Sequence, residues 1–81
     1  MMKYFNVEIQ TTGATTAQAM YPHDTKDEAI IAYHQSMASM RTAVDSGNLD
    51  GCTGLVLNEW GGVEQPYQEH YERAAEPNVE E

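Results

Sequence analysis

Basic residues are scarce in this chain. Four Lys and Arg stand against thirteen Asp and Glu, giving a formal net charge of −9. Such a surface repels nucleic-acid phosphates, which argues against direct DNA or RNA binding and leaves a basic protein partner, or plain solubility, as its meaning. Cysteine is nearly absent: Cys52 stands alone, so no internal disulfide can form and a secreted, disulfide-stapled fold is ruled out. Long apolar runs are missing, and the Met-Met-Lys-Tyr-Phe-Asn start has no apolar signal core. The expectation is a cytoplasmic protein with no membrane role.

Motifs for chemistry are missing too. Gly61-Gly62 reads as a hairpin turn, and Gly51-Cys52-Thr53-Gly54 lacks the lysine and following helix that a phosphate loop needs. His23, His34 and His70 have no metal-ligand spacing, and a structural zinc would normally show further cysteines or a paired His motif. His34 and Cys52 are the one pair resembling a base and a thiol nucleophile. A lone cysteine opening a strand reads better as a small buried apolar residue. His34 shares a polar helix edge with Asp27, Arg41 and Asp45. No cofactor, no metal and no enzymatic activity are expected.

What is present is enough for one small core. Residues of the hydrophobic class make up 41% of the chain and charged ones 21%, a balance that folds rather than stays disordered. A chain of this size buries only roughly 60–65% of its unfolded surface, so its stability margin is thin. The organising stretch runs from Asp24 to about Val44. Thr25 is placed to cap the free N–H groups, with Glu28 completing a capping box, and the first-turn acids suit the positive end of the helix dipole. Ile30, Tyr33, Met37, Met40 and Val44 then recur at steps of three and four, and Gly47 is the stop.

Around this helix the pattern has period two. Tyr4 to Gln10 alternates, with Phe5, Val7 and Ile9 expected to face the core and Tyr4, Asn6 and Glu8 the far side of the sheet, together with Gln18. Thr11 to Ala14 reads as a turn. A second strand follows over Thr15 to Tyr21, with Ala17, Ala19 and Tyr21 inward and Pro22 ending it. Cys52 to Asn58 carries Leu55-Val56-Leu57 and is the expected central strand. After the turn at Glu59-Trp60-Gly61-Gly62, Val63 to about Tyr71 returns, with Pro66 placing it at a sheet edge. The fold class is α+β, in the order β-β-α-β-β: a four-stranded, mostly antiparallel sheet with one helix packed on one face. Residues 1–72 form the single domain, and 73–81 a flexible acidic tail.

Three segments, Tyr4 to Gly13, Asp24 to His34 and Val56 to Val63, together resemble a group of very short uncharacterised proteins from phage-like and mobile-element regions of gut bacterial genomes. The resemblance implies the same β-β-α-β-β layout and carries no catalytic residue.

Two functional readings remain. One is a non-enzymatic protein-interaction module acting through the second hairpin, the solvated sheet face or an exposed edge, and an edge makes a homodimer plausible. Glu59, Trp60 and Glu64 are its candidate contact residues. Trp60 has two open readings, a core residue if it lies within the strand and an interface anchor if it lies at the tip. The other reading is an acidic nucleic-acid mimic that inhibits a basic DNA-handling host protein, with the carboxylates from Glu59 to Glu81 imitating phosphates. A solvated acidic surface explains those carboxylates as well.

Overall fold

In the computed structural model, which describes residues 3–73, the capped amphipathic run becomes helix α1, Lys26–Asp45. Thr25 is the N-cap, its hydroxyl accepting the Glu28 N–H at 3.1 Å, and Asp27 and Glu28 sit in the first turn. Ala29, Tyr33, Met37, Met40 and Val44 are the buried stripe. At the other end Asn48 N–H reaches the Ala43 carbonyl and Gly47 N–H the Val44 carbonyl. That is the Schellman arrangement, and it requires the left-handed φ of +89° that Gly47 supplies.

The strands are β1 (Tyr4–Thr12), β2 (Thr15–His23), β3 (Gly51–Leu57) and β4 (Val63–Glu72), in the sheet order β2-β1-β3-β4, with every neighbouring pair antiparallel. Element order, sheet type and the single helix are those expected. The first hairpin is tighter than expected. Thr11 and Thr12 stay in the ladder, and only Gly13-Ala14 turns, with Gly13 at φ +58°. Pro22 does not end β2 but lies within it, opposite Phe5. Its missing N–H is harmless because β2 is an edge strand. Pro66 likewise lies in the other edge strand, and the β3–β4 register breaks between Leu55 and Leu57, on the stretch where β4 carries it.

One expectation is reversed. The helix lies on the face of β1 that carries Tyr4, Asn6 and Glu8. Asn6 is 2% exposed and donates through Nδ2 to Ser36 Oγ at 3.0 Å, and Ser36 in turn donates to the Glu8 carboxylate. Phe5, Val7 and Ile9 therefore point away from α1. They share that outer face with Leu55 and Leu57 of β3, and with Met20 and Gln18 of β2, their register partners. Ala17, Ala19 and Tyr21, expected on the side of Phe5, pair with Gln10, Glu8 and Asn6 and so lie on the helix side. Alternation fixes that two faces differ, but not which of them is covered. Here β3 and β4 decide it. Val56 and Tyr67 pack with Tyr33 and Ala29, while Cys52 and Tyr71 pack with Met37, Met40 and Val44.

The end of the sheet away from the second hairpin is tied by Asp50. Its N–H bonds the Thr11 carbonyl, its carboxylate accepts the Gly13 N–H at 2.6 Å, and its carbonyl accepts the Arg73 N–H. The Arg73 side chain adds a bond to the Leu49 carbonyl. Arg73, expected to open the tail, is thus anchored; the rest of that tail, 74–81, lies outside the described residues.

Candidate protein-interaction site

The second hairpin carries the three candidate contact residues, Glu59 and Trp60 exposed at its tip and Glu64 turned toward the helix, and a residue absent from the sequence-based list organises the turn. Asn58 Oδ1 accepts the N–H groups of Trp60 and Gly62, both at 2.9 Å. Its own N–H bonds the Gly62 carbonyl, and Gly61, at φ +84°, completes the turn. This is an Asx-type turn, which the Asn-x-x-Gly-Gly spacing was capable of announcing. It holds Trp60 at the tip, 74% exposed, so the tip reading of Trp60 holds and the core reading falls.

The two glutamates differ. Glu59 is exposed and accepts the Lys3 N–H at 3.1 Å. Glu64 turns toward the helix, where Lys26 Nζ lies 3.0 Å from it and Asn58 Nδ2 donates at 3.2 Å. Lys26 first, then Asn58, hold the Glu64 carboxyl below the usual carboxylate range. A depressed folded value means this contact is fully present above the unfolded pKa of about 4.3 and is lost as pH falls through the folded value. Trp60 fluorescence is expected to follow that acid transition in the wild type and to lose it in Glu64→Gln. A transition unchanged in Glu64→Gln would locate its origin elsewhere.

Among the described residues, no helix or strand covers the other face of the sheet, opposite α1. Rows of side chains cross it from strand to strand: Pro22, Phe5, Leu57 and Val63 in one, Met20, Val7, Leu55 and Gln68 in the next. Gln18, Ile9, Thr53 and His70 make the third. Within these three rows no side chain is a carboxylate, lysine or arginine. Val7 is closed in by its neighbours at 2% exposure, whereas Met20 is 47% and Val63 39% exposed. His70 closes the polar end, bonding Thr53 Oγ1 at 2.6 Å and Glu72 at 2.8 Å.

The residues weighed for catalysis do not converge. Cys52 is buried beside Met37, Met40 and Val44, and burial pushes its thiol pKa up, away from the thiolate. His34 lies elsewhere along the helix, its ring edge-on to Tyr33 and Tyr67 at 5.0 and 6.2 Å. His23 ends β2, opposite Tyr4. No cluster of three or more His, Cys, Asp or Glu side chains is placed to hold a metal among the described residues. A shallow groove beside α1, lined by Asn6, Glu8, Tyr21, His23 and Ser36, contains two atoms without a hydrogen-bond partner among the described residues, Asn6 Oδ1 and His23 Nε2. No described helix is long and apolar enough to cross a membrane.

The chain matches no family model, no curated protein and no solved structure.

Proposed function

We propose that this protein is a small non-enzymatic protein-interaction module, of the kind carried by phage-like and mobile genetic regions. Its contact surface is the uncovered sheet face, extended at the tip of the second hairpin by Trp60 and edged there by Glu59. The observation that carries this reading is the composition of that face. Phe5, Val7 and Ile9 of β1 and Leu55 and Leu57 of β3 line it, Val7 closed in and the other four half-buried, with Met20 and Val63 more exposed beside them, and α1 lies on the other side. Contiguous apolar surface rimmed by polar residues is the mark of a protein contact.

The mimicry reading gains less. Of the described carboxylates in the row that begins at Glu59, Glu64 is paired with Lys26 and Glu72 with His70, and Glu64 turns in toward the helix. Paired carboxylates make a poor imitation of a phosphate row.

A photo-crosslinking residue at Gln18, exposed on the uncovered face beside Ile9, tests the reading in the source cell. A discrete protein adduct is expected from that position and none from the exposed helix position Ala38. No adduct at Gln18, or equal adducts at both, would remove the uncovered face as the contact surface.

A further inference from the structure

The uncovered face has an occupant that its own features select. We infer that two copies of this chain stack face to face through it, forming a two-fold symmetric sandwich with the helices on the two outer sides. This inference rests on the interaction-module reading and goes beyond it by naming the partner.

Charge is the first argument. The chain carries a net −9, yet the three rows that cross the face hold no carboxylate, lysine or arginine. A basic partner would be met by acids, and an acidic one by lysine or arginine. This face offers neither and is complementary to another apolar, neutral surface. A second copy presents one while keeping its acids off these three rows, the nearest being Glu72 beside His70 at the polar end.

Geometry is the second. A two-fold contact needs a self-complementary patch, in which residue i meets j and j meets i. The central strands β1 and β3 are antiparallel neighbours, with Val7 opposite Leu55 and Phe5 opposite Leu57. A two-fold axis lying parallel to the sheets, midway between them and passing over β1 and β3, sets the partner's apolar rows against these rows in an aligned or orthogonal sheet packing about 10 Å apart.

Size is the third. Four strands about 4.8 Å apart and about 25–30 Å long present roughly 500 Å² per copy, about 1,000 Å² in total, just under the range of stable interfaces. Trp60 stands, 74% exposed, in the turn that follows the Leu57–Val63 row. Two such indoles, each able to bury about 150–250 Å², bring the total into that range.

The edges make the competing arrangement unfavourable. Pro22 interrupts the donor row of β2, and Pro66 with the register break does the same for β4. Both edges are thus interrupted, which disfavours edge-to-edge pairing relative to stacking through the face.

The test uses the full chain. Sedimentation velocity from about 1 to 100 µM is expected to give twice the 9.0 kDa chain mass. Leu55→Glu and Met20→Glu should each raise the dimer dissociation constant by about 100-fold or more, since each buries an unpaired carboxylate at the contact. The helix substitution Ile31→Glu, on a residue 58% exposed, should leave it unchanged. Far-UV circular dichroism reports whether each variant stays folded. Isotope-filtered NMR on mixed-labelled wild type supplies a readout free of mutation, with intermolecular contacts expected among the Leu55, Leu57 and Met20 methyl groups. A monomeric wild type at 100 µM overturns the dimer; the module reading then still stands if Gln18 yields an adduct with another protein in the cell. A dimer that lacks those methyl contacts, or that Ile31→Glu breaks and Leu55→Glu does not, overturns the face.

Discussion

Tyr33→Ala is expected to abolish most of the stability of this protein, while Ile31→Ala, two residues earlier on the same helix, leaves it nearly unchanged. Both are large apolar truncations in the middle of α1. Ile31 is 58% exposed, so its loss removes little buried contact and the change should stay well under about 1 kcal/mol. Tyr33 is 1% exposed and is among the largest fully buried side chains. It packs on Ala29 and Val56, with the Tyr67 ring edge-on at 6.0 Å. Removing such a ring costs about 3–5 kcal/mol in transfer and cavity terms. A domain of this size has roughly 4–12 kcal/mol in all, so the loss is comparable with the whole. Burial raises the Tyr33 phenol to about 12, and Glu69 beside it adds to the rise. Tyr33→Phe, which keeps the ring and drops the hydroxyl, should therefore fall between the two, at about 1 kcal/mol. Urea unfolding of the three variants decides. Equal losses from Tyr33→Ala and Ile31→Ala would mean that the helix is rotated from the phase described.

That phase was legible because every signal in the segment agreed. Cap, periodicity and glycine stop all named the same boundaries, and α1 falls within two residues of them. Strand order was not legible, since nothing local records which edges meet. The covered face of β1 was misread for a more instructive reason. Phe5, Val7 and Ile9 are the apolar half of an alternating strand, and the usual inference places that half under the helix. Three features outside the strand override it. Val56 and Cys52 give β3 an apolar helix side as well, Gly54 lets the helix come close, and Ser36 offers Asn6 and Glu8 a polar partner on α1. Asn58 was missed because the turn was read from Gly61-Gly62 alone, although the Asn-x-x-Gly-Gly spacing marks the side-chain acceptor that holds it. The apolar half of β1 is then left over, and that leftover is the candidate contact surface.

Gly54→Val carries the second large expected effect, and its sign is the informative part. In an open strand, replacing Gly by a β-branched residue is favourable by up to about 1 kcal/mol. Gly54 lies in β3 on the helix side, where a Cβ would stand 2.9 Å from Met37 Sδ and 3.4 Å from the Tyr33 ring. The thioether is flexible enough to swing aside for a single methyl, so Gly54→Ala should be tolerated at a cost of about 1 kcal/mol or less. Valine adds two more methyl groups against Tyr33, which is held edge-on between His34 and Tyr67 and has nowhere to move. Overpacking of that kind costs about 1–3 kcal/mol and outweighs the gain in strand propensity. Met37→Ala would clear part of the space. The double variant Gly54→Val with Met37→Ala should accordingly lose less stability than the sum of the two single changes, by about 1 kcal/mol. Thermal melts of the four proteins measure that coupling directly. Stabilisation by Gly54→Val would mean that the helix does not approach β3 here, and the uncovered face opposite would lose its meaning. Destabilisation with positive coupling ties the close helix on one side of β3 to the half-buried Leu55 and Leu57 on the other.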